Sequence, residues 1–326
     1  MTIPVRVGVI GTGFGARVVA PVFAATDGCE VAEVVTARDA EAVDALCRRS
    51  DLDLVSVHSP PFLHAAHVRA ALAGGHAVLC DKPFGLHAGE SAELLAEAEA
   101  AGAVHLVNFE FRHDPMRRQL RELLTAGAVG PVEHVQWTHV SAGSRVPLRR
   151  YGWLFDASRG GGWIGAWGSH AVDAIRWLVG EVREARAVRR IAVPERPDGD
   201  LRLRAVDAED GFAAWLRLDS GAEVVLDSTF AAAASLAPRL VISGPEGVLE
   251  CVADARLTLR RGDGTRDELD RPETDGDPHL VPMRRWAEVV RDAVRAGTSV
   301  APTFADGVAC DRVLDALRTS RRSRPA

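Results

Sequence analysis

The stretch VRVGVIGTGFGARVVA, residues 5–20, decides the fold. Its first six residues are a short, mainly apolar and β-branched run, the signature of a buried strand. Gly11, Thr12, Gly13, Phe14, Gly15 and Ala16 follow at once, and residues 17–25 then have helical character. In the order strand, glycine turn, helix, the pattern G-x-G-x-x-G/A has a physical meaning. Gly11 permits the tight turn, Gly13 lets a pyrophosphate approach the backbone, and Ala16 lets helix and strand pack closely. The helix N-terminus adds amide donors and a positive dipole end. The stretch therefore predicts a dinucleotide-binding α/β unit.

Working outward, a second strand is expected over 31–36, where a dinucleotide's adenosine ribose would lie. The chain there reads Thr36, Ala37, Arg38, Asp39. A small residue beside an arginine suits a 2′-phosphate, so the reading leans to NADP within NAD(P), with Asp39 kept as the alternative ribose ligand. Further strands are expected over 54–58, 77–80 and 104–107, separated by helices over 62–73 and 89–101. Such alternation means a parallel sheet whose crevice lies beyond the carboxyl ends of its strands. Ser59-Pro60-Pro61, Asp81-Lys82-Pro83 and the run Asn108 to Arg112 all fall at such ends.

Composition narrows the function classes. The chain has 326 residues, near twice the usual domain length of about 150, which predicts two domains. A net charge of -6 argues against a nucleic-acid or membrane-surface binder. Arg321, Arg322 and Arg324 cluster at the end and read as a solvated tail. Five cysteines without close pairs indicate neither a disulfide framework nor a zinc site. The N-terminal apolar run lacks the charged start and cleavage site of a signal peptide, and no uncharged stretch is long enough to span a bilayer, so a cytoplasmic location is expected. One count is unusual: of the 39 basic residues, 38 are arginine and one, Lys82, is lysine.

The second half reads differently. A helix to about 123 and a strand near 132–138 lead into an irregular stretch rich in Arg and Trp. Gly160 to Gly162 then precede Gly168, Ser169, His170 and a helix that carries Asp173. Alternating strands with a turn at Asp219-Ser220-Gly221 predict an antiparallel sheet. Two helices, about 280–296 and 305–318, close the chain.

Four motifs in this order, GTGFGA at 11–16, SPPFLHA at 59–65, DKP at 81–83 and GGGWIGAWGSHAVD at 160–173, resemble the glucose-fructose oxidoreductase, inositol dehydrogenase and MocA family, and the likeness covers nearly the whole chain. The resemblance implies a Rossmann domain, residues 1–118, and a C-terminal α+β domain, residues 119–326, with an open, mostly antiparallel sheet that makes homo-oligomer contacts; the last helix packs back near the domain interface. It implies hydride exchange between NAD(P) and a sugar, cyclitol or related polyol. The expected cofactor contacts are Gly11, Thr12, Gly13, Phe14, Gly15, Arg38, Ser59, Pro60, His64, Asp81, Lys82 and Arg112.

In this family the third motif is glutamate-lysine-proline, here Asp81-Lys82-Pro83. By resemblance Lys82 reaches both the substrate hydroxyl and the nicotinamide ribose, a role suited to lysine because, unlike arginine, it can give up its proton. His170 corresponds to the family histidine at the substrate pocket, and Lys82 and His170 are the expected catalytic pair. Trp153, Trp163 and Asp173 are candidate substrate contacts; Trp167 could also stack on a sugar, and Arg145, Arg149 or Arg150 could pair with an anionic group. The alternative places the tryptophans in the domain core and the arginines in a solvated loop.

Two departures qualify the resemblance. The aspartate that inositol-dehydrogenase-like members carry four residues before the histidine is Ala166 here, with Asp156, Asp173 or Tyr151 as candidate substitutes. The link from Thr36 to Leu54 is short, which predicts one helix, about 40–49, and a parallel sheet lacking one edge strand. Besides a dehydrogenase, two readings remain open: a redox-inactive NAD(P)-binding sensor or partner protein, and a redox-neutral enzyme with a retained cofactor.

Overall fold

The computed structural model describes residues 3–271 and 276–319, so the basic tail at 321–324 lies outside the described residues. The described residues form two compact units, one of 3–113 with 276–312 and the other of 114–271 with 313–319.

In the first unit β1 (Val5–Ile10), β2 (Cys29–Val35), β3 (Leu54–Val57), β4 (Ala77–Cys80) and β5 (His105–Val107) form a parallel sheet in the order β2-β1-β3-β4-β5. Val7, Val9, Ile10, Leu54, Val55 and Val57 are fully buried, as expected of central strands covered on both faces. The crossovers are α1 (Ala20–Ala24), α2 (Ala40–Cys47), α3 (His64–Ala73) and α4 (Ala88–Ala100). Only α2 separates β2 from β3, which leaves β2 at the edge and the sheet without a further strand beyond it, as the short link predicts.

The second unit begins with α5 (Pro115–Thr125), capped by Asp114, which accepts from the amides of Met116 and Arg117. Strand β6 (His134–Val140) and helix α6 (Ser169–Val179) follow. Beyond them come β7 (Val182–Arg190), β8 (Glu195–Pro197), β9 (Leu203–Ala205), β10 (Gly211–Leu218), β11 (Glu223–Thr229), β12 (Arg239–Gly244), β13 (Gly247–Val252), β14 (Arg256–Arg261) and β15 (Arg266–Asp270). Seven of these and β6 form one eight-stranded sheet, β15-β14-β13-β12-β6-β11-β10-β7, antiparallel except where β6 meets β11; β8 and β9 pair separately. Buried and exposed residues alternate along β10 and β11, which is how an antiparallel sheet presents one face to a core and one to solvent. Gly221 supplies the positive φ of the turn between them.

Two helices, α7 (Leu280–Ala296) and α8 (Phe304–Thr319), end the described chain. Residues 276–312, read from the sequence with the second domain, group with the first unit. The reason is packing: Met283, Trp286, Ala287, Val290 and Ala293 recur at helical spacing along α7 and enter the same core as Val5, Val7, Val9 and Phe23.

Candidate active site

The glycine loop is shaped by close approach at two positions. Gly11 has a φ of 130°, and a Cβ there would stand 2.4 Å from the carbonyl oxygen of His58. A Cβ on Gly15 would already lie 3.1 Å from both His58 and Val9, and Gly15 is buried while Ala16 is half-buried. The tight helix-to-strand contact assigned from sequence to Ala16 is therefore made by Gly15. Gly13 has open space above it, and Thr12 beside it is exposed. These features form a backbone cradle at the start of a helical segment that runs from Gly15.

The loop touches the carboxyl end of β3 through His58, whose ring lies 5.8 Å from that of Phe14. His58 Nε2 pairs with the Ser56 hydroxyl at 2.7 Å. Its Nδ1 stands 3.3 Å from Asp81 Oδ2 but off the hydrogen-bonding direction, so the contact is electrostatic. Asp81 Oδ1 accepts from the Lys82 amide at 3.0 Å and from Asn108 Nδ2 at 3.4 Å. Burial would raise the Asp81 carboxyl, but the His58 contact and the charges of His58, Lys82 and His64 outweigh it and hold the group well below the usual carboxylate range. The segment after Lys82 is anchored as well: Gly85 donates to Asp311 at 3.0 Å, and Phe84 packs on Phe304. Lys82 thus sits on a fixed backbone at the rim that also carries the glycine loop.

Other expected cofactor contacts are occupied by the protein. His64 is fully buried with its ring nitrogens facing the carbonyls of Ser59 and Phe84, and burial pushes its imidazole down. It ties two loops together. The Ser59 hydroxyl pairs with His67, and Pro60 is only partly buried. Arg112 is buried and donates to Asp306 at 2.8 Å, joining the helical turn Glu110–His113 to α8. At the end of β2, Asp39 accepts from the Ala42 amide as the cap of α2, while Arg38 is exposed.

In the second unit the glycine run answers to a buried carboxylate. Gly162 has a φ of 110°, and a Cβ there would stand 2.3 Å from Glu209 Oε1. Glu209 accepts from the Ile164 amide at 3.0 Å, and burial raises its carboxyl. His170 is buried in the first turn of α6, and Asp173 is buried one turn on. Trp163 is part of the core: it stacks on Phe230 at 4.1 Å, faces His139 at 5.7 Å and donates its indole N–H to Ser228 at 2.7 Å. The reading of Trp163 as a sugar platform gives way to packing, because the ring is 9% exposed and its faces and N–H are taken. Trp153 is half-buried in a short helical turn. Of the substitutes for the missing aspartate, Asp156 holds Ser158 through its amide and hydroxyl. Burial and the charges of Asp156 and Asp207 raise the Tyr151 hydroxyl.

Sequence reasoning missed His58 as a partner of Asp81, Asn108 as a second, Glu209, and a contact between Glu110 and His279. His58, Asn108 and Glu110 were visible as polar residues at strand carboxyl ends. Nothing local marks His279, which lies 169 residues from Glu110.

The first unit fits a nicotinamide dinucleotide on its own geometry. Gly13 leaves the backbone open to a pyrophosphate, Gly11 permits the turn that presents it, and Asn108 Oδ1 is a buried acceptor without a hydrogen-bond partner among the described residues. A bound ligand's amide would satisfy such an atom.

Comparisons with known proteins agree with this geometry. Residues 5–109 match the model of an oxidoreductase family with an NAD-binding Rossmann fold, and residues 117–250 match that of a GFO/IDH/MocA C-terminal domain. The chain is 30% identical to a dTDP-3,4-didehydro-2,6-dideoxy-alpha-D-glucose 3-reductase of Streptomyces violaceoruber, over 89% of this chain and 94% of that one. It is 26% identical to inositol 2-dehydrogenase 3 of Saccharopolyspora erythraea, over 97% and 94%. A solved levoglucosan dehydrogenase, in complex with NADH and levoglucosan, shares the fold with a TM-score of 0.86 at 24% identity, covering 97% of each chain.

Proposed function

Because the chain belongs to the GFO/IDH/MocA family of NAD-binding oxidoreductases, we propose that it moves a hydride between nicotinamide C4 and a ring carbinol or ketone carbon of a sugar- or cyclitol-like substrate, with Lys82 as the principal proton-handling group. The observation that carries this reading is the placement of the chain's single lysine. It lies two residues beyond β4, its backbone is held by Asp81, and Asp81 is held by His58 and Asn108 beside the glycine loop.

The cofactor, when bound, supplies the carbon that accepts or gives the hydride. Gly11, Thr12, Gly13, Phe14 and Gly15 form the cradle for its pyrophosphate, and Asn108 Oδ1 offers an acceptor to an amide. Lys82 takes the hydroxyl proton during oxidation and returns it during reduction. Asp81, kept ionised, fixes the Lys82 backbone and compensates the ammonium charge. His170 is the second proton-handling assignment, carried by its motif in the second unit.

The cofactor preference proposed is NADP. Asp39 is engaged as a helix cap and is not poised for a ribose hydroxyl, whereas the exposed Arg38 guanidinium suits a 2′-phosphate. The exposed face of the eight-stranded sheet, with Val188 and Val225 on it, is proposed as a homo-oligomer contact. Five free cysteines suit a reducing compartment such as the cytoplasm. No described helix is long and apolar enough to cross a membrane.

A panel of sugars and cyclitols followed by nicotinamide absorbance tests the activity. Turnover of at least one member, lost in Lys82→Met while cofactor binding persists, is the expected result. Tight cofactor binding with no turnover of any member would favour the redox-inactive reading, which Ala166 motivates.

A further inference from the structure

We propose that Arg17 closes the dinucleotide cradle as a guanidinium clamp on the cofactor's pyrophosphate, so that the glycine loop holds its ligand by charge as well as by backbone amides. The proposal rests on the nicotinamide-dinucleotide site described above, and on neither the substrate nor the direction of the hydride transfer.

The backbone alone leaves the cradle short of positive charge. Arg17 is the only charged residue between Val7 and Ala25, a stretch that holds the whole glycine loop and the helical segment behind it. Amides at the start of a helix donate hydrogen bonds to an anion, but only a partial charge backs them. A pyrophosphate brings two negative charges into that setting. Their desolvation is best offset by a full positive charge within hydrogen-bonding reach.

Local winding sets where that charge stands. The first turn of the helical segment, Gly15–Val19, is a π turn, wider than an α turn, and such turns recur at functional positions. The Gly13 carbonyl accepts twice from Arg17, from the backbone amide at 3.1 Å and from Nε at 3.2 Å. The second bond folds the exposed side chain back onto the glycine whose outer side is open, where a Cβ would meet nothing within 4 Å. The guanidinium is thereby held beside the opening.

Most of its hydrogen-bonding capacity is left for a ligand. Nε–H is engaged, while the N–H groups on Nη1 and Nη2 have no acceptor among the described residues. No described carboxylate neutralises Arg17 either, although the arginines around it find theirs. Arg6 pairs with Glu30 and Asp51, Arg49 with Glu33 and Asp51, and Arg69 with Glu93 and Glu97. A surface arginine that served solubility alone would need no fixed orientation. This one is oriented through Nε, and the planar fork it presents matches two phosphate oxygens. Arg17 thus reads the pyrophosphate common to both nicotinamide dinucleotides, and Arg38 the 2′-phosphate that only NADP carries.

Titration calorimetry of the full-length protein with NADPH, NADH and ADP-ribose tests the clamp, since ADP-ribose keeps the pyrophosphate but lacks the nicotinamide and the 2′-phosphate. Arg17→Gln retains an N–H for the Gly13 carbonyl and loses the charge. At low ionic strength it should weaken all three ligands by one factor, about tenfold, and the gap from the wild type should narrow as salt rises toward about 0.5 M. Arg17→Lys, which restores the charge without the fork, should recover part of the loss. An unchanged ADP-ribose affinity in Arg17→Gln would overturn the proposal. So would a loss confined to NADPH, which assigns the guanidinium to the 2′-phosphate. A loss undiminished at high salt would also overturn it, because that marks a distorted loop and not a missing charge. A wild type that binds none of the three removes the dinucleotide reading itself, whereas a variant that binds them as the wild type does removes the clamp alone.

Discussion

The carboxyl rim of the five-stranded sheet and the segment 160–173 both looked like functional motifs, yet the protein uses their residues differently. At the rim the motif side chains hold one another around a lysine: His58 against Asp81, and Asp81 on the Lys82 amide. In the second region most of the motif serves architecture. Gly162 makes room for Glu209, and Trp163 fills a stacked aromatic core. Residues near a strand's carboxyl end are free to face a ligand, whereas an aromatic on an irregular loop is easily recruited by the sheet beneath it.

The contrast can be broken most forcefully at the glycine loop. Gly11→Val demands a left-handed backbone and places side-chain atoms on the His58 carbonyl, so loss of NADPH binding and destabilisation by about 3 kcal/mol or more are expected by calorimetry. A near-normal affinity would mean that this loop is not the cradle. Trp163→Ala should lower stability by about 3–5 kcal/mol in urea unfolding, as expected for a buried aromatic. Trp163→Phe should leave KM for any accepted polyol nearly unchanged. A KM effect larger than the stability effect would restore the tryptophan to the substrate site.

Arg38→Glu sharpens the other end of the rim. NADPH affinity should fall about tenfold or more relative to NADH, measured by nicotinamide fluorescence, because a 2′-phosphate would lose a cation and meet a carboxylate. The smallest effect is a pH dependence in the second unit. Burial, reinforced by the Arg117 charge, pushes the His139 imidazole down to about 4. A base whose folded value is depressed favours the neutral form, so stability should decline as pH falls from about 6.5 toward that value. His139→Phe should reduce this slope in unfolding measured across pH, leaving the part that His64, His67 and His105, which burial also pushes down, contribute.

Local chemistry explains what could be read from the chain. The parallel sheet and its missing edge strand are set by short segments with strong backbone demands and appear as expected, while in the glycine loop Gly15 rather than Ala16 makes the close helix-to-strand contact. What the sequence hid depends on distant partners. Arg112 looked available until α8 brought Asp306 to it, and Trp163 looked like a platform until Phe230 covered it. His64 carried a motif position but is consumed by two carbonyls. The return of residues 276–312 to the first unit was equally invisible, because an amphipathic helix such as α7 announces a buried face without saying whose core receives it.

The proposed hydride transfer needs the one lysine to do something that 38 arginines cannot. Lys82→Arg tests it directly, since charge is retained while the ability to give up the proton at accessible pH is lost. In single-turnover oxidation of an accepted polyol, the variant should bind NADP like the wild type but reduce it roughly 100- to 10,000-fold more slowly. An arginine variant that reduces the cofactor at a rate close to that of the wild type would contradict the claim.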